Sequence, residues 1–190
     1  MEPVIPPNAA LVRDAIDRFD REGEPTEGTL KELFARFPNN QDIRHVLLKV
    51  IALNQLYSTH ILDVHSVAQN IFENRDQIDK ALTRGAPEIV QIIATIKING
   101  RPRNNYSFAS KFCNWHNQRD YPIYDSRVDS YLWRLQKQEH FCASFSKNAD
   151  LWDYPKFREI VQELQVHYQL EEFSFKDIDK FLWQYARPTS

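Results

Sequence analysis

Apolar residues recur at three- and four-residue steps along almost the whole chain, and that period commits it to helices. Leu11, Val12, Ala15, Ile16 and Phe19 form the first stripe, which Asn8 caps and Gly23 ends. Leu30, Leu33, Phe34 and Phe37 form the next; Thr29-Leu30-Lys31-Glu32 reads as its capping box and Pro38 closes it. A third helix, started by Asn39 or Asn40, carries Ile43, Val46, Leu47, Val50, Ile51 and Leu53. It is too apolar for a surface helix and is expected at the centre. It runs out at Leu56-Tyr57-Ser58-Thr59-His60. Another helix opens near Asp63, with Val64, Val67, Ala68, Ile71 and Phe72 inward, and a short one around Ile78 and Leu82 breaks at Gly85. Pro87 suits the first turn of a segment buried through Ile89, Val90, Ile92, Ile93 and Ile96, whose β-branched content leaves a strand as the alternative. After a polar, basic break over 98–105, Phe108, Phe112 and Trp115 mark a helix across 107–115, and Val128, Tyr131, Leu132 and Leu135 mark one opening near Asp125. An irregular stretch, 139–154, precedes two last helices through Phe157, Ile160, Val161 and Leu164, then Ile178, Phe181, Leu182 and Tyr185. Ser174 and Asp177 resemble a capping box for the final one. The expected fold is all-α, with about ten helices. The chain's four glycines argue against a turn-rich β architecture.

At 190 residues the chain suits one domain over 8–190, behind an extended, Pro-rich lead-in over 1–7, or two helical lobes sharing a core around a central cleft. A net charge of −2 argues against a nonspecific coat for nucleic acid, yet a local basic face is enough to contact phosphates. Cys113 and Cys142 give neither a zinc pattern nor a disulfide framework, and the six histidines lack metal-ligand spacing. Neither metal nor cofactor is expected. With no basic-then-apolar leader and no bilayer-length apolar run, the expectation is a cytoplasmic protein without a membrane partner. The sequence does not fix an oligomeric state.

The stretch richest in chemistry is Ser107-Phe108-Ala109-Ser110-Lys111-Phe112-Cys113-Asn114-Trp115-His116, followed by Tyr121-Pro122-Ile123-Tyr124-Asp125-Ser126-Arg127-Val128. A lysine sits in an aromatic helix, a short loop follows, and a carboxylate stands at the start of the next helix.

This stretch resembles the helix-hairpin-helix DNA glycosylase superfamily, which includes endonuclease III and 8-oxoguanine DNA glycosylase. There a hairpin lysine precedes a Pro-x-Asp-x-x-Val-type segment that holds the catalytic aspartate. The resemblance puts Lys111 in the lysine's place and Asp125 in the aspartate's. A second likeness lies upstream, where a core helix of that superfamily ends in a polar run that faces DNA and fills the gap left by the flipped base. Asn54, Gln55, Tyr57, Ser58, Thr59 and His60 occupy the comparable place. Together the matches lie within a glycosylase-like segment over 43–136. Three departures stand out. The hairpin's Leu-Pro-Gly-x-Gly glycines are replaced by Tyr106-Ser107-Phe108-Ala109-Ser110, the spacing from Lys111 to Asp125 is shorter than the superfamily's, and endonuclease III's iron–sulfur cysteines are absent, so no cluster is implied.

The resemblance implies a base-excision repair protein that acts on damaged duplex DNA. A base flips out of the stack into a pocket. A carboxylate, Asp125, stabilises the oxocarbenium character that develops at the sugar. A neutral Lys111 amine, favoured by desolvation beside aromatic groups, attacks the anomeric carbon and leaves a Schiff base that permits strand cleavage. Tyr57, His60, Trp115 and His116 line the pocket or wedge the stack. Ser107 and Ser110, in place of the glycines, join Arg101, Arg103, Arg119 and Arg127 in holding phosphates.

Plainer readings stand beside these. Asp125 is also a helix cap, Lys111 also a snorkelling lysine, His60 also a satisfied polar group, and the arginines also a solvated surface. Trp152, Trp183, Phe157 and Phe181 read as core. Two other functions remain open: a catalytically silent relative that binds nucleic acid or a partner, and a helical interaction protein unrelated to DNA.

Overall fold

Ten α-helices, one 3-10 turn and one small hairpin account for the regular structure among the described residues of the computed structural model, which are 3–22, 24–98 and 100–186. The chain is therefore all-α in class. It divides into two compact units, Glu24–Tyr121 and a discontinuous one built from Met1–Gly23 and Pro122–Ser190. Gly23, assigned above as a helix stop, and Asn99, in the basic break, lie outside the described residues, as do Met1 and Glu2 of the lead-in.

The Glu24–Tyr121 unit opens with α2 (Glu24–Arg36), α1 belonging to the other unit. Thr29 does not cap this helix. The chain is already helical four residues earlier, with Pro25 in the first turn, and the Thr29 hydroxyl donates back to the Pro25 carbonyl at 2.6 Å. Helix α3 (Ile43–Tyr57) is capped by Asp42, whose carboxylate accepts from the Arg44 amide, and not by Asn39 or Asn40. Those two asparagines serve a different purpose, described below. Val46, Val50 and Leu53 of α3 are buried, but Ile51 stands 46% exposed and is not core.

Asp63 caps α4 (Val64–Glu73), accepting from the Ser66 amide at 3.0 Å, and α4 packs along α3. Helix α5 (Arg75–Arg84) ends at Gly85, whose φ of +65° is the left-handed conformation that lacks a steric penalty only in glycine. A Cβ built there would lie 2.6 Å from Asp120 Cγ. Gly85→Ala is accordingly expected to destabilise the protein by about 2 kcal/mol or more, combining left-handed strain with overpacking, as read by urea denaturation.

The strand alternative held for part of the β-branched segment. Helix α6 (Ile89–Ala94) covers only its first turn and a half, and Pro87 precedes the Glu88 cap. From Thr95 the chain is extended: β1 (Thr95–Ile98) pairs antiparallel with β2 (Arg101–Asn104), with Ile96 opposite Arg103 and Ile98 opposite Arg101. The basic break is thus half of a hairpin. Asn99-Gly100 is the residue pair that a two-residue hairpin turn favours, and Gly100 takes a φ of +75°. Helix α7 (Tyr106–His116) closes the unit, nearly every residue of it buried.

The other unit pairs α1 (Ala9–Glu22) with α10 (Phe175–Tyr185) and adds α8 (Ser126–Glu139), a 3-10 turn (Asn148–Trp152) and α9 (Tyr154–His167). Asn8 caps α1 through the Leu11 amide, and Ser174 with Asp177 makes a full capping box for α10. The extended lead-in is tied to α8: the Val4 amide donates to the Gln138 side chain at 3.0 Å and the Tyr131 hydroxyl donates to the Ile5 carbonyl at 2.7 Å. Phe157 and Phe181 are fully buried, but Trp152 and Trp183 are 62% and 38% exposed and fall outside the core. The Trp152 ring nitrogen donates to the Asp129 carboxylate at 3.3 Å, a bond that needs the ring at the surface.

Candidate active site

Helix α7 places Ser107, Lys111 and Trp115 four residues apart, hence on one face. Lys111 is 4% exposed, and its Nζ donates to Ser107 Oγ at 2.8 Å. The same amine lies 5.7 Å from the centre of the Tyr57 ring, at the last residue of α3. Trp115 Nε1 donates to the Tyr57 hydroxyl at 3.2 Å, and that hydroxyl donates to Glu27 Oε1 at 3.2 Å. Three helices of one unit thus meet at Tyr57, with the amine of Lys111 held over its ring.

The polar run after Tyr57 is bent sharply. Ser58 and His60 have φ values of +49° and +56°, a conformation costly for residues with a side chain. Asn54 holds the bend from below: its Oδ1 accepts from the Thr59 hydroxyl and the Ile61 amide, both at 2.9 Å. Asn54 is thereby a brace for the turn and not a group facing a base. Gln55, Ser58 and His60 are exposed, and Tyr57 and Thr59 half-buried.

The remaining predicted residues divide. His116 turns away from Lys111 into a second buried cluster, with its Nε2 3.2 Å from Lys49 Nζ. Burial, and then the Lys49 charge, hold the imidazole well below its usual pKa, against the opposing effect of its bond to the Pro38 backbone. It is a neutral acceptor toward Lys49, and it lines a hollow with Pro38, Asn39, Asp79 and Thr83 in which Lys111 takes no part. Ser110 is fully buried and its hydroxyl donates to the Ser107 carbonyl at 2.9 Å, which removes it from the phosphate set. Arg101 and Arg103 are exposed on β2, and Arg119 is exposed after α7. Cys113, fully buried in α7, has its thiol pKa pushed up by desolvation and stays a protonated core group.

Asp125 and Arg127 belong to the other unit. Asp125 caps α8, its Oδ1 accepting from the Arg127 and Val128 amides at 2.9 and 3.0 Å, and Arg127 is exposed. Asp125→Ala is expected to cost about 1 kcal/mol or more through the lost cap, and Asp125→Asn a few tenths, as read by thermal or urea unfolding.

Sequence reasoning missed two members of these clusters. Glu27 gives no signal in the sequence beyond being one acidic residue in a polar stretch. Lys49 shares a helical face with Val46 and Leu53, a placement that foretells burial, but its charge argues the other way.

No solved structure matches the chain. A Haemophilus influenzae protein described as uncharacterized is 37% identical over 141 residues, which span 74% of this chain and 66% of the relative, a little under two thirds of its length. A protein-family model, the HI_0787 N-terminal domain, matches residues 11–120. That match contains Lys111, Ser107, Tyr57 and Glu27 and stops short of Asp125. Covering more than half of the sequence, it shows that the chain belongs to the HI_0787 N-terminal domain family.

Proposed function

We propose that this protein is a DNA N-glycosylase with abasic-site lyase chemistry, and that Lys111 supplies the attacking amine. The observation that supports it best is the burial of that amine over the Tyr57 ring, next to the strained Ser58-Thr59-His60 turn, where Ser58 and His60 are exposed. Burial beside an aromatic ring keeps an amine from water, a setting that favours its neutral, nucleophilic form. A costly backbone bend beside it is the kind of feature that accumulates where chemistry or recognition happens. Ser107 orients the amine through a hydrogen bond that a neutral amine also makes.

In the proposed step the Lys111 nitrogen bonds to the anomeric carbon, the bond from that carbon to the base breaks, and the base leaves with a proton. That proton is one of the amine's two; the other stays on nitrogen while the bond from the anomeric carbon to the ring oxygen breaks, the oxygen takes a proton from water and an iminium forms. Asp125 enters this scheme as the carboxylate that stabilises positive charge at the sugar, a role that rests on the resemblance alone. Duplex DNA bearing a damaged base is the proposed substrate and the cytoplasm the proposed setting. No helix among the described residues is long and apolar enough to cross a membrane.

The test is incubation with duplexes carrying uracil, 8-oxoguanine or an abasic site, followed by borohydride, which reduces an iminium to a stable amine. A covalent protein–DNA band with at least one duplex is expected. No band with any of the three would remove the reading. A catalytically silent DNA-binding module is the second reading. It is favoured by the loss of the hairpin glycines, because the Ser107 hydroxyl that stands in their place is already engaged by Lys111.

A further inference from the structure

Between Ile89 and Arg119 the chain has five basic residues and no Asp or Glu, although acidic residues outnumber basic ones overall. The hairpin of β1 and β2 lies in the middle of this stretch. Lys97, Arg101 and Arg103 are all exposed on it, and among the described residues no ion pair or hydrogen bond engages their side chains. The pairing register puts Arg101 and Arg103 on one face, opposite Ile98 and Ile96, and Lys97 on the other, opposite Pro102. Every residue of β2 is exposed, while Ile96 of β1 is buried and anchors the ribbon to α4. The result is a rooted, two-stranded ribbon with cations on both faces.

We propose that this hairpin is a duplex-DNA clamp, its exposed outer strand β2 entering the major groove with Lys97, Arg101 and Arg103 placed to reach phosphates. The major groove, about 12 Å wide, admits a two-stranded ribbon, and the cations spaced along it meet the anionic walls. A lipid surface suits it less, because no large apolar or aromatic side chain of the described hairpin residues is exposed to insert among acyl chains. Contacts made by cations to phosphates position a duplex without reading its sequence. The choice of a duplex rests on the DNA-directed reading above, but the clamp does not depend on the lysine chemistry.

The test is fluorescence anisotropy of a labelled duplex against salt, comparing the wild type with the combined variant Lys97→Gln, Arg101→Gln, Arg103→Gln. Far-UV circular dichroism confirms that the variant folds, as expected for substitutions at exposed positions. Each phosphate contact contributes about 0.9 to the slope of log affinity against log salt, so the slope should fall by roughly 2–3. Affinity at low salt should drop at least about tenfold. An unchanged slope, a wild type that binds no duplex, or a defect confined to phosphatidylserine vesicles would each overturn the clamp. Borohydride trapping separates the two ideas. A reduced slope in a protein that forms no adduct keeps the clamp and removes the glycosylase; an unchanged slope in one that does form it removes the clamp alone.

Discussion

Replacing Lys49 with alanine is expected to destabilise the protein by about 3 kcal/mol at neutral pH and to change how its stability varies with pH. Lys49 is fully buried in α3, with Nζ 3.2 Å from the Phe37 carbonyl, 3.0 Å from the Asn39 carbonyl, 2.7 Å from Asn40 Oδ1 and 3.2 Å from His116 Nε2. The Phe34 and Phe112 rings lie 5.4 and 5.6 Å away. Asn40, itself fully buried, donates from its amide side chain to Asp79 at 2.7 Å. One ammonium therefore ties the end of α2, the loop before α3, and α7 together. Alanine leaves those acceptors without a donor and opens a cavity in the aromatic cluster.

The pH effect has a definite sign. Burial lowers the Lys49 pKa to about 8, against the opposing pull of Asp79. Below pH 8 the lysine is charged in both the folded and the unfolded chain, so the burial penalty is complete and constant. Between pH 8 and 10.5 the folded protein gives up the proton while the unfolded chain keeps it, and stability rises by up to about 3 kcal/mol. His116, with its pKa held well below 6.5, acts in the same sense at the acid end: the unfolded chain takes up a proton that the folded protein refuses, and stability falls as pH drops below 6.5. Urea midpoints measured from pH 5 to 10.5 should show the wild type gaining on Lys49→Ala between pH 8 and 10.5. A constant difference across that window would contradict the account.

The second large effect belongs to Lys111. Lys111→Met keeps most of the buried volume and removes the amine, so iminium trapping should fall by at least about 10³-fold. Loss of the bond to Ser107 Oγ costs little stability, because that hydroxyl is half-buried and open to water. Retention of the adduct in Lys111→Met would assign the chemistry to another amine. Lys49 is the natural comparison, since it too is a buried lysine in an aromatic setting. Its four close acceptors mark it as a structural tie, whereas Lys111 sits beside the strained turn.

Much of the fold was legible because caps and breaks are short-range chemistry. Asp63, Asp125, Ser174 with Asp177, and Gly85 each end or begin a helix for reasons contained within four residues. Thr29 misled because an earlier start at Glu24, with Pro25 in the first turn, outcompetes a capping box that is sound on its own. The hairpin hid inside a β-branched run whose first half is helical, although Asn99-Gly100 was the available signal. At the site, the four-residue spacing of Ser107, Lys111 and Trp115 was readable, and so was the polar run after Leu53. Their meeting at Tyr57 was implied only by the resemblance, because it depends on how α3 and α7 cross. The Lys49 tie was not legible: a lysine on an apolar face says nothing of the carbonyls that will converge on it.

Peptide mapping of the borohydride-reduced protein–DNA adduct identifies the amine that attacks the sugar. The sugar remnant is expected on the peptide containing Lys111. A remnant on Lys49, on the N-terminal amine or on any other lysine would contradict that assignment.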